Sequence, residues 1–340
     1  MAVGDGGEAV ARSYVAVGKE GTFGTYTAPS SAIEALSCGL MTEIETEKLD
    51  TIGGGNRGMA KRVQLDKKVG GSIEQYVHPQ ESVLMFASAL GGGIVSAAHT
   101  TGVYNHSLTA GNFDTTPASL CFNVRKGSTL TFQYSGARCN QLRISAQVGE
   151  VVKASYDFVC KDSTQASADL SGALSISSVL PFTYAQGVYR YGTTEATAET
   201  TTAQEPIQGF ELTIKNNIIS DKSARSLGSN VPQILPATRR EIEFKIMQRF
   251  DTTTAYQRFL QATQGAVELV FTAEAIGSTG FNNGLTIRLP KVFYDRADVE
   301  LKDTGSILQA EIPMSVLVDS PSTSTGREIG VTFRNATAAY

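Results

Sequence analysis

Apolar and polar residues alternate along several stretches of this chain, and strict alternation predicts half-buried strands. In Thr42 to Leu49, Glu43, Glu45 and Glu47 alternate with Ile44 and Thr46, a strand with one acidic face. Alternation resumes from Arg62 through Val77, where Gly70-Gly71 predicts a bulge. Two β runs, Ser119 to Val124 and Ser128 to Tyr134, flank Arg125-Lys126-Gly127, a short hairpin signal. Gln141 to Gln147 and Glu150 to Cys160 predict a second hairpin turning at Gly149. The period changes to helical in two places. In Gln80 to Leu90, after Pro79, residues Val83, Phe86, Ala87 and Leu90 share one face, and Gly91-Gly92-Gly93 ends the run. From Thr252 to Thr263, Tyr256, Phe259 and Leu260 share a face, with Asp251 as N-cap and Gly265 beyond the end. Residues 94–118, 163–205 and 220–238 show no period and read as polar loops or linker, with Pro181 to Tyr184 anchored.

The second half repeats the order of the first. Strands are predicted at Gly209 to Ile219, Arg240 to Phe250, Val267 to Thr272, Leu285 to Leu289, Ala297 to Lys302 and Ser306 to Val318. The last two are joined by the turn Asp303-Thr304-Gly305. Ser72 to Tyr76 matches Glu241 to Lys245 in pattern, so Ile73 is equated with Ile242, and Ile44 with Leu212. Phe86 corresponds to Phe259. A period this long suits two fused, similar domains rather than a solenoid. The expected division is an N-terminal arm and first strand over 1–40, a first domain over 41–190 and a linker over 191–208. A second domain follows over 209–320, and a C-terminal arm over 321–340.

Composition narrows what such a β-rich chain can do. Among 340 residues, 29 Lys+Arg face 33 Asp+Glu, a formal net charge of −4, so no broad basic surface grips nucleic acid. A 41% hydrophobic share is too high for a disordered chain. Thirty Ser, 35 Thr and 33 Gly with only 18% charged residues agree with sheets joined by tight turns. No run approaches the roughly 18 apolar residues of a membrane span, and the acidic, Gly-rich Met1 to Gly7 does not read as a secretory signal. Cys38, Cys121, Cys139 and Cys160 form no C-x-x-C pair and read as reduced thiols. His78, His99 and His106 lack metal spacing and read as capping, packing or loop hydrogen-bonding groups. No nucleophile–base pair emerges, so neither an enzyme nor a cofactor site is expected. Gly53-Gly54-Gly55-Asn56-Arg57-Gly58 lacks the order of a phosphate-cradling loop and reads as a flexible contact loop.

In succession, these motifs resemble the tail tube (major tail) proteins of long-tailed, non-contractile bacteriophages. Val17 to Thr25 is similar to the family's opening "E-x-T-x-G-T" signature. Gly71 to Pro79, Ala89-Leu90-Gly91, Tyr104-Asn105-His106 and Tyr134 to Ala137 are similar to its first half. Asn216 after Phe210 to Lys215, and Ile287 to Val292, are similar to its second half. The stretch 163–205 and the tail after Pro321 depart from the pattern.

The resemblance implies a mainly β (β-rich α+β) fold: two tandem tail-tube-type β-sandwich or barrel domains, each with one peripheral helix, plus extended loops and arms. It implies a structural virion protein, assembled in the host cytoplasm, whose stacked rings form a conduit for the genome. Inner sheets of neighbouring domains would join edge to edge, giving exposed strand edges a partner. Two domains per chain imply a homotrimeric ring of pseudo-sixfold symmetry, with a homohexamer as the alternative. Tape measure, tail terminator and distal tail proteins are the implied partners, with no membrane. Genomic DNA would pass through the lumen without specific binding. Gly53, Gly54, Gly55, Asn56 and Arg57, with Arg225, Leu227 and Gly228, become candidate ring-stacking residues. Phe23, Gly24 and Tyr26 belong to a candidate N-terminal arm, and Ser322 to Tyr340 to a C-terminal one. An acidic lumen repels phosphate, and Glu43, Glu45 and Glu243 are its candidates. Competing readings are the inner tube of a contractile injection or type VI secretion machine, and a β-sandwich adhesin or binding module.

Overall fold

The computed structural model describes residues 12–29, 31–49, 61–112, 118–128, 130–166, 169–172, 174–250, 253–297, 308–320 and 327–340. The first half runs β1 (Tyr14–Lys19), β2 (Ser31–Ile33), β3 (Ala35–Cys38), β4 (Met41–Leu49), β5 (Lys61–Tyr76) and α1 (Ser82–Leu90). It continues with β6 (Gly91–Thr100), β7 (Val103–Ala110), β8 (Leu120–Lys126), β9 (Leu130–Gln147), β10 (Lys153–Cys160) and β11 (Asp162–Ala166). The second half runs β12 (Gly187–Gly192), α2 (Glu195–Thr200), β13 (Ile207–Lys215), β14 (Glu241–Arg249) and α3 (Thr254–Leu260). It closes with β15 (Gly265–Ala275), β16 (Asn282–Tyr294), β17 (Gln309–Val316) and β18 (Gly330–Asn335). The named strands pair antiparallel throughout and form one connected network.

Each half is two packed sheets that share one long strand. In the first, β1, β8, the start of β9 and β11 make one layer, and β5, β10 and the end of β9 make the other. In the second, β12–β15–β16–β18 and β14–β17–β16 repeat those pairings in order. The layers meet through aromatic side chains: Phe122 to Phe158 at 4.9 Å in the first half, Phe210 to Phe271 at 5.9 Å in the second. The long strand crosses between layers near Gly136, whose φ of 63° puts it in the left-handed region. A Cβ there would stand 2.6 Å from the Lys161 side chain, so only glycine fits.

Helix α1 is buried on nearly every side, as its apolar sequence requires. Phe86 is fully buried between Phe333 (5.1 Å) and Tyr156 (6.2 Å), edge-on to both. Such pairs contribute about 0.5–1.5 kcal/mol each beyond burial. The helix stops at Gly91, which adopts φ 78° and returns its N–H to the Ala87 carbonyl.

The structure corrects the sequence reading at several points. Residues 94–118 are not simply a loop: β6 and β7 form a hairpin, with β7 on the edge of β18. Low-polarity Gly, Ala and Ser give β6 no alternation, and most of it is exposed on both faces. Within 163–205 lie β11, β12 and the capped helix α2, where Thr194 accepts from the Thr197 N–H. Phe182 is anchored, fully buried and hydrogen-bonded to Val77 and Val152. The C-terminal stretch is not an arm at Gly330–Asn335: β18 lies between β16 and β7 with Val331 and Phe333 buried. Asp251 and the turn Asp303-Thr304-Gly305 fall outside the described residues. With Ile73 equated to Ile242, the cross-strand partners are Cys38 and Ile214, so Ile44 is not the counterpart of Leu212. The strand is interrupted at Gly39-Leu40 between β3 and β4, and β4 pairs with the first part of β5 as an added hairpin.

Candidate assembly surfaces

The two halves join edge to edge. Strand β9 pairs with β13 over seven residues, from Gln141↔Lys215 to Gln147↔Gly209. The paired order β3–β5–β10–β9–β13–β14–β17–β16 therefore runs through both halves. One row of cross-strand neighbours spans it: Ser37, Glu74, Ser155, Arg143, Thr213, Glu243, Ser315 and Phe293. The adjacent row, Ala35, Gln75, Ala154, Ile144, Leu212, Phe244, Met314 and Tyr294, points to the core, buried from Gln75 onward. Alternation of two thus gives this sheet one apolar and one polar face.

The polar face is mixed rather than purely acidic. It carries Glu74, Asp157, Glu211, Glu241, Glu243 and Glu311 against Arg143, Lys153, Lys215, Lys245 and Arg249. Ion pairs join Arg143 to Glu211 (2.6 Å), Lys215 to Glu243 (2.7 Å) and Lys245 to Glu311 (3.0 Å). The Glu243 hydrogen bond raises the Lys215 ammonium pKa, and Glu311 does the same for Lys245. Of the acidic candidates, Glu243 sits in the middle of this face. Glu43 and Glu45 lie instead on the β4–β5 hairpin, exposed, with Glu45 3.3 Å from Lys68. The structure therefore does not bring the three together.

That hairpin projects from the body. Residues 41–45 and 61–65 are exposed on both faces, including Met41, Ile44, Val63 and Leu65. Its tip, with Gly53, Gly54, Gly55, Asn56 and Arg57, lies outside the described residues. The loop after β13 packs against the hairpin's base: the Lys67 N–H donates to the Asn230 carbonyl at 2.9 Å. Arg225 turns inward, its side chain 8% exposed and 3.5 Å from Asp66. It holds the loop by donating to the Ser220 and Asp221 carbonyls. Leu227 is fully exposed and Gly228 adopts φ 91°, so the loop turns Leu227 rather than Arg225 to the outside.

The N-terminal segment is docked on its own chain from Tyr14 to Pro29. Phe23 lies under the Arg138 guanidinium at 4.5 Å and the Lys161 ammonium at 5.4 Å. The Gly24 N–H donates to the buried Glu20 carboxylate, and Tyr26 Oη accepts from Asn123. Burial raises the Tyr26 pKa above the ordinary phenol value. Phe23, Gly24 and Tyr26, the candidate arm residues, thus make contacts within their own chain while staying half-buried.

Sequence reasoning missed the clasp between the halves. Arg240 is 12% exposed and donates to the carbonyls of Leu90 and Gly111, both at 2.9 Å, while pairing with Glu328 at 3.3 Å. Desolvation lowers its pKa, against the pull of Glu328. Asn216 donates to the carbonyls of Ala89 and Cys139. Together they bond two of the C-terminal carbonyls of α1, those of Ala89 and Leu90, which a helix leaves without partners. A lone Arg before a strand carries no local signal of this. The four cysteines are free; burial raises all four thiol pKa values and Cys38 is the least buried. Among the described residues no group of His, Cys, Asp or Glu could hold a metal ion, and no helix could cross a membrane.

Fold and edges define a duplicated double-sheet β protein whose sheet continues from one unit into the next. The family model described as phage tail tube protein matches residues 10–331, and the chain belongs to that family. It is a structural component of the phage tail. Among solved structures it is similar to one titled "Crystal structure of Hcp protein", at 12% identity and a TM-score of 0.25, covering 38% of this chain and 86% of that one. No curated protein matches it in sequence.

Proposed function

We propose that three copies of this chain close into a ring of pseudo-sixfold symmetry, and that rings stack into a tube through which the phage genome passes. The observation that carries this reading is the β9–β13 junction: two units with the same pairing order are already joined laterally within one chain. Each chain then fills two of six places. The polar face of the shared sheet lines the lumen, where Glu243 and its neighbours leave no broad run of unpaired cations for phosphate to bind. The β4–β5 hairpin and the loop tip at Leu227 make the axial contacts, since both expose apolar side chains away from the core. The tape measure, terminator and distal tail proteins would meet the tube's inside and ends. Electron microscopy of the concentrated protein with native mass measurement tests this. Stacked rings of three chains and six lobes are expected; dispersed monomers at every concentration overturn it, and six-chain rings overturn the stoichiometry.

A further inference from the structure

We infer that ring closure pairs strand β16 of one copy with strand β3 of the next, in a register the chain itself specifies: Phe293 opposite Ser37. This rests on the ring reading above, and adds which edges meet and how they align. The polar row across the eight strands reads as one four-residue pattern used twice: Ser37, Glu74, Ser155, Arg143, then Thr213, Glu243, Ser315, Phe293. A hydroxyl, a glutamate and a serine occupy the first three places both times. The core row repeats with it, so Ala35 stands for Leu212 and Tyr294 for Ile144. The internal junction joins the fourth place of the first unit to the first place of the second, Arg143 to Thr213.

The ends of the row are edges. Strand β3 pairs with β5 on one side, and no other strand pairs with it among the described residues. Beyond Val292, which also faces Gly265, β17 is the only strand that pairs with β16 among the described residues. Leu36 at 48% exposed and the half-buried Cys38 mark β3 as an uncovered edge with apolar side chains. An open edge carries unpaired N–H and C=O groups and is a template for another chain. The occupant that fits is a second copy, because the chain's own β9–β13 contact already shows the matching edges in register. Applying that contact to the free ends sets Phe293 against Ser37; Tyr294 then meets Ala35 across the β3 bulge, where Leu36 is the extra residue. This contact is heterologous, the kind that closes a ring.

Directly opposed residues on paired strands have Cβ atoms about 4.5–5.5 Å apart, close to disulfide range. The test uses the full chain with Ser37→Cys and Phe293→Cys, and Cys38→Ser to remove the adjacent thiol. Oxidising the assembled protein with diamide should give a reducible ladder that stops at three chains. Pairing Ser37→Cys with Asp295→Cys, two residues out of register, should give at least tenfold less. Hydrogen exchange on the unmodified protein supplies a readout free of substitutions: amides of Ala35–Cys38 should slow on the order of 100-fold when rings form. Rings or tubes that show neither the ladder nor the slowing overturn the register while leaving the tube reading intact. A protein that forms no rings under any condition overturns the tube reading, and this pairing with it.

Discussion

Replacing Arg240 with alanine tests whether the two halves are one cooperative unit. Its guanidinium ties the end of α1, the end of β7 and Glu328 to the start of the second half. The loss is worked from what each partner keeps. The Leu90 carbonyl still accepts the Gly111 N–H at 2.8 Å, so it is not orphaned. Glu328 is 24% exposed and regains water. The Gly111 carbonyl and the vacated volume cannot be compensated as well. Charged hydrogen bonds contribute about 1.5–3 kcal/mol, and breaking a buried pair costs about 3–5 kcal/mol, so about 3 kcal/mol is expected here. At roughly 2.1 cal/mol/K per residue, a chain of this length loses about 4 °C in Tm for that change. Arg240→Lys keeps the charge near Glu328 but not the fork, and should lose about half as much. Calorimetry of the unassembled protein reads both. A single transition shifted by less than about 1 °C in Arg240→Ala would refute the reasoning, since the clasp would then hold nothing.

Phe86→Ala should destabilise the fold by about 3–5 kcal/mol, because its ring is fully buried against Tyr156 and Phe333; a denaturant melt measures it. His106 donates from Nε2 to Asn335 and accepts from Ser96, and burial lowers its pKa. A lowered folded pKa means the unfolded chain binds the proton more tightly. Its contribution is therefore present above the unfolded value near 6.5 and is lost as pH falls through that value toward the folded one. Melts from pH 7.5 to 5 should show this slope, and His106→Gln should flatten it. Leu227→Asp should leave Tm unchanged and stop filament growth in light scattering, since the side chain touches only solvent in the single chain. Glu243→Gln should leave Tm unchanged too, because the Lys215 pair is exposed. In tubes it should raise DNA retention at low salt; no change in retention counts against a lumenal Glu243.

What was legible in the sequence is what periodicity encodes. Val69 to Val77 and Arg240 to Phe250 alternate because one face packs inward at Ile73, Gln75, Ile242 and Phe244, whereas the alternation of Arg62 to Leu65 lies in the projecting hairpin, exposed on both faces. Helix α1 was legible because its apolar stripe has to be covered. The β6–β7 hairpin was not, since Gly91 to Thr100 lies on a sheet edge exposed on both faces, where no pattern is needed. The join of β9 across two sheets was also hidden: both layers bury alternate residues, so the strand reads as two shorter ones. Arg240, Asn216 and the β3 edge escaped because their meaning lies in partners more than 70 residues away or in another molecule. Arg225 stood among the ring-stacking candidates that the resemblance implied, and only the Asp66 carboxylate beside it shows that it faces inward.

Fusing two units changes the assembly problem as well as the length. Six separate units need six lateral contacts per ring, each formed against the loss of translational and rotational freedom. Three fused chains need three, because every β9–β13 contact forms within a chain at the effective concentration a tether provides. The fused junction is also free to diverge. The β6–β7 hairpin has no counterpart in the second half, and it reaches β18 only across the internal junction, where Arg240 and Asn216 add their clasp. In the proposed ring the contact between chains would lack that hairpin and clasp, and would rest on the β16–β3 edge. Internal and external contacts of one ring should therefore differ in strength. Denaturant should first dissociate rings into intact two-unit chains, and only at higher concentration separate β9 from β13. Exchange at Gln141 to Gln147 that rises together with exchange at Ala35 to Cys38, with no intermediate, would show that the two contacts are equivalent after all.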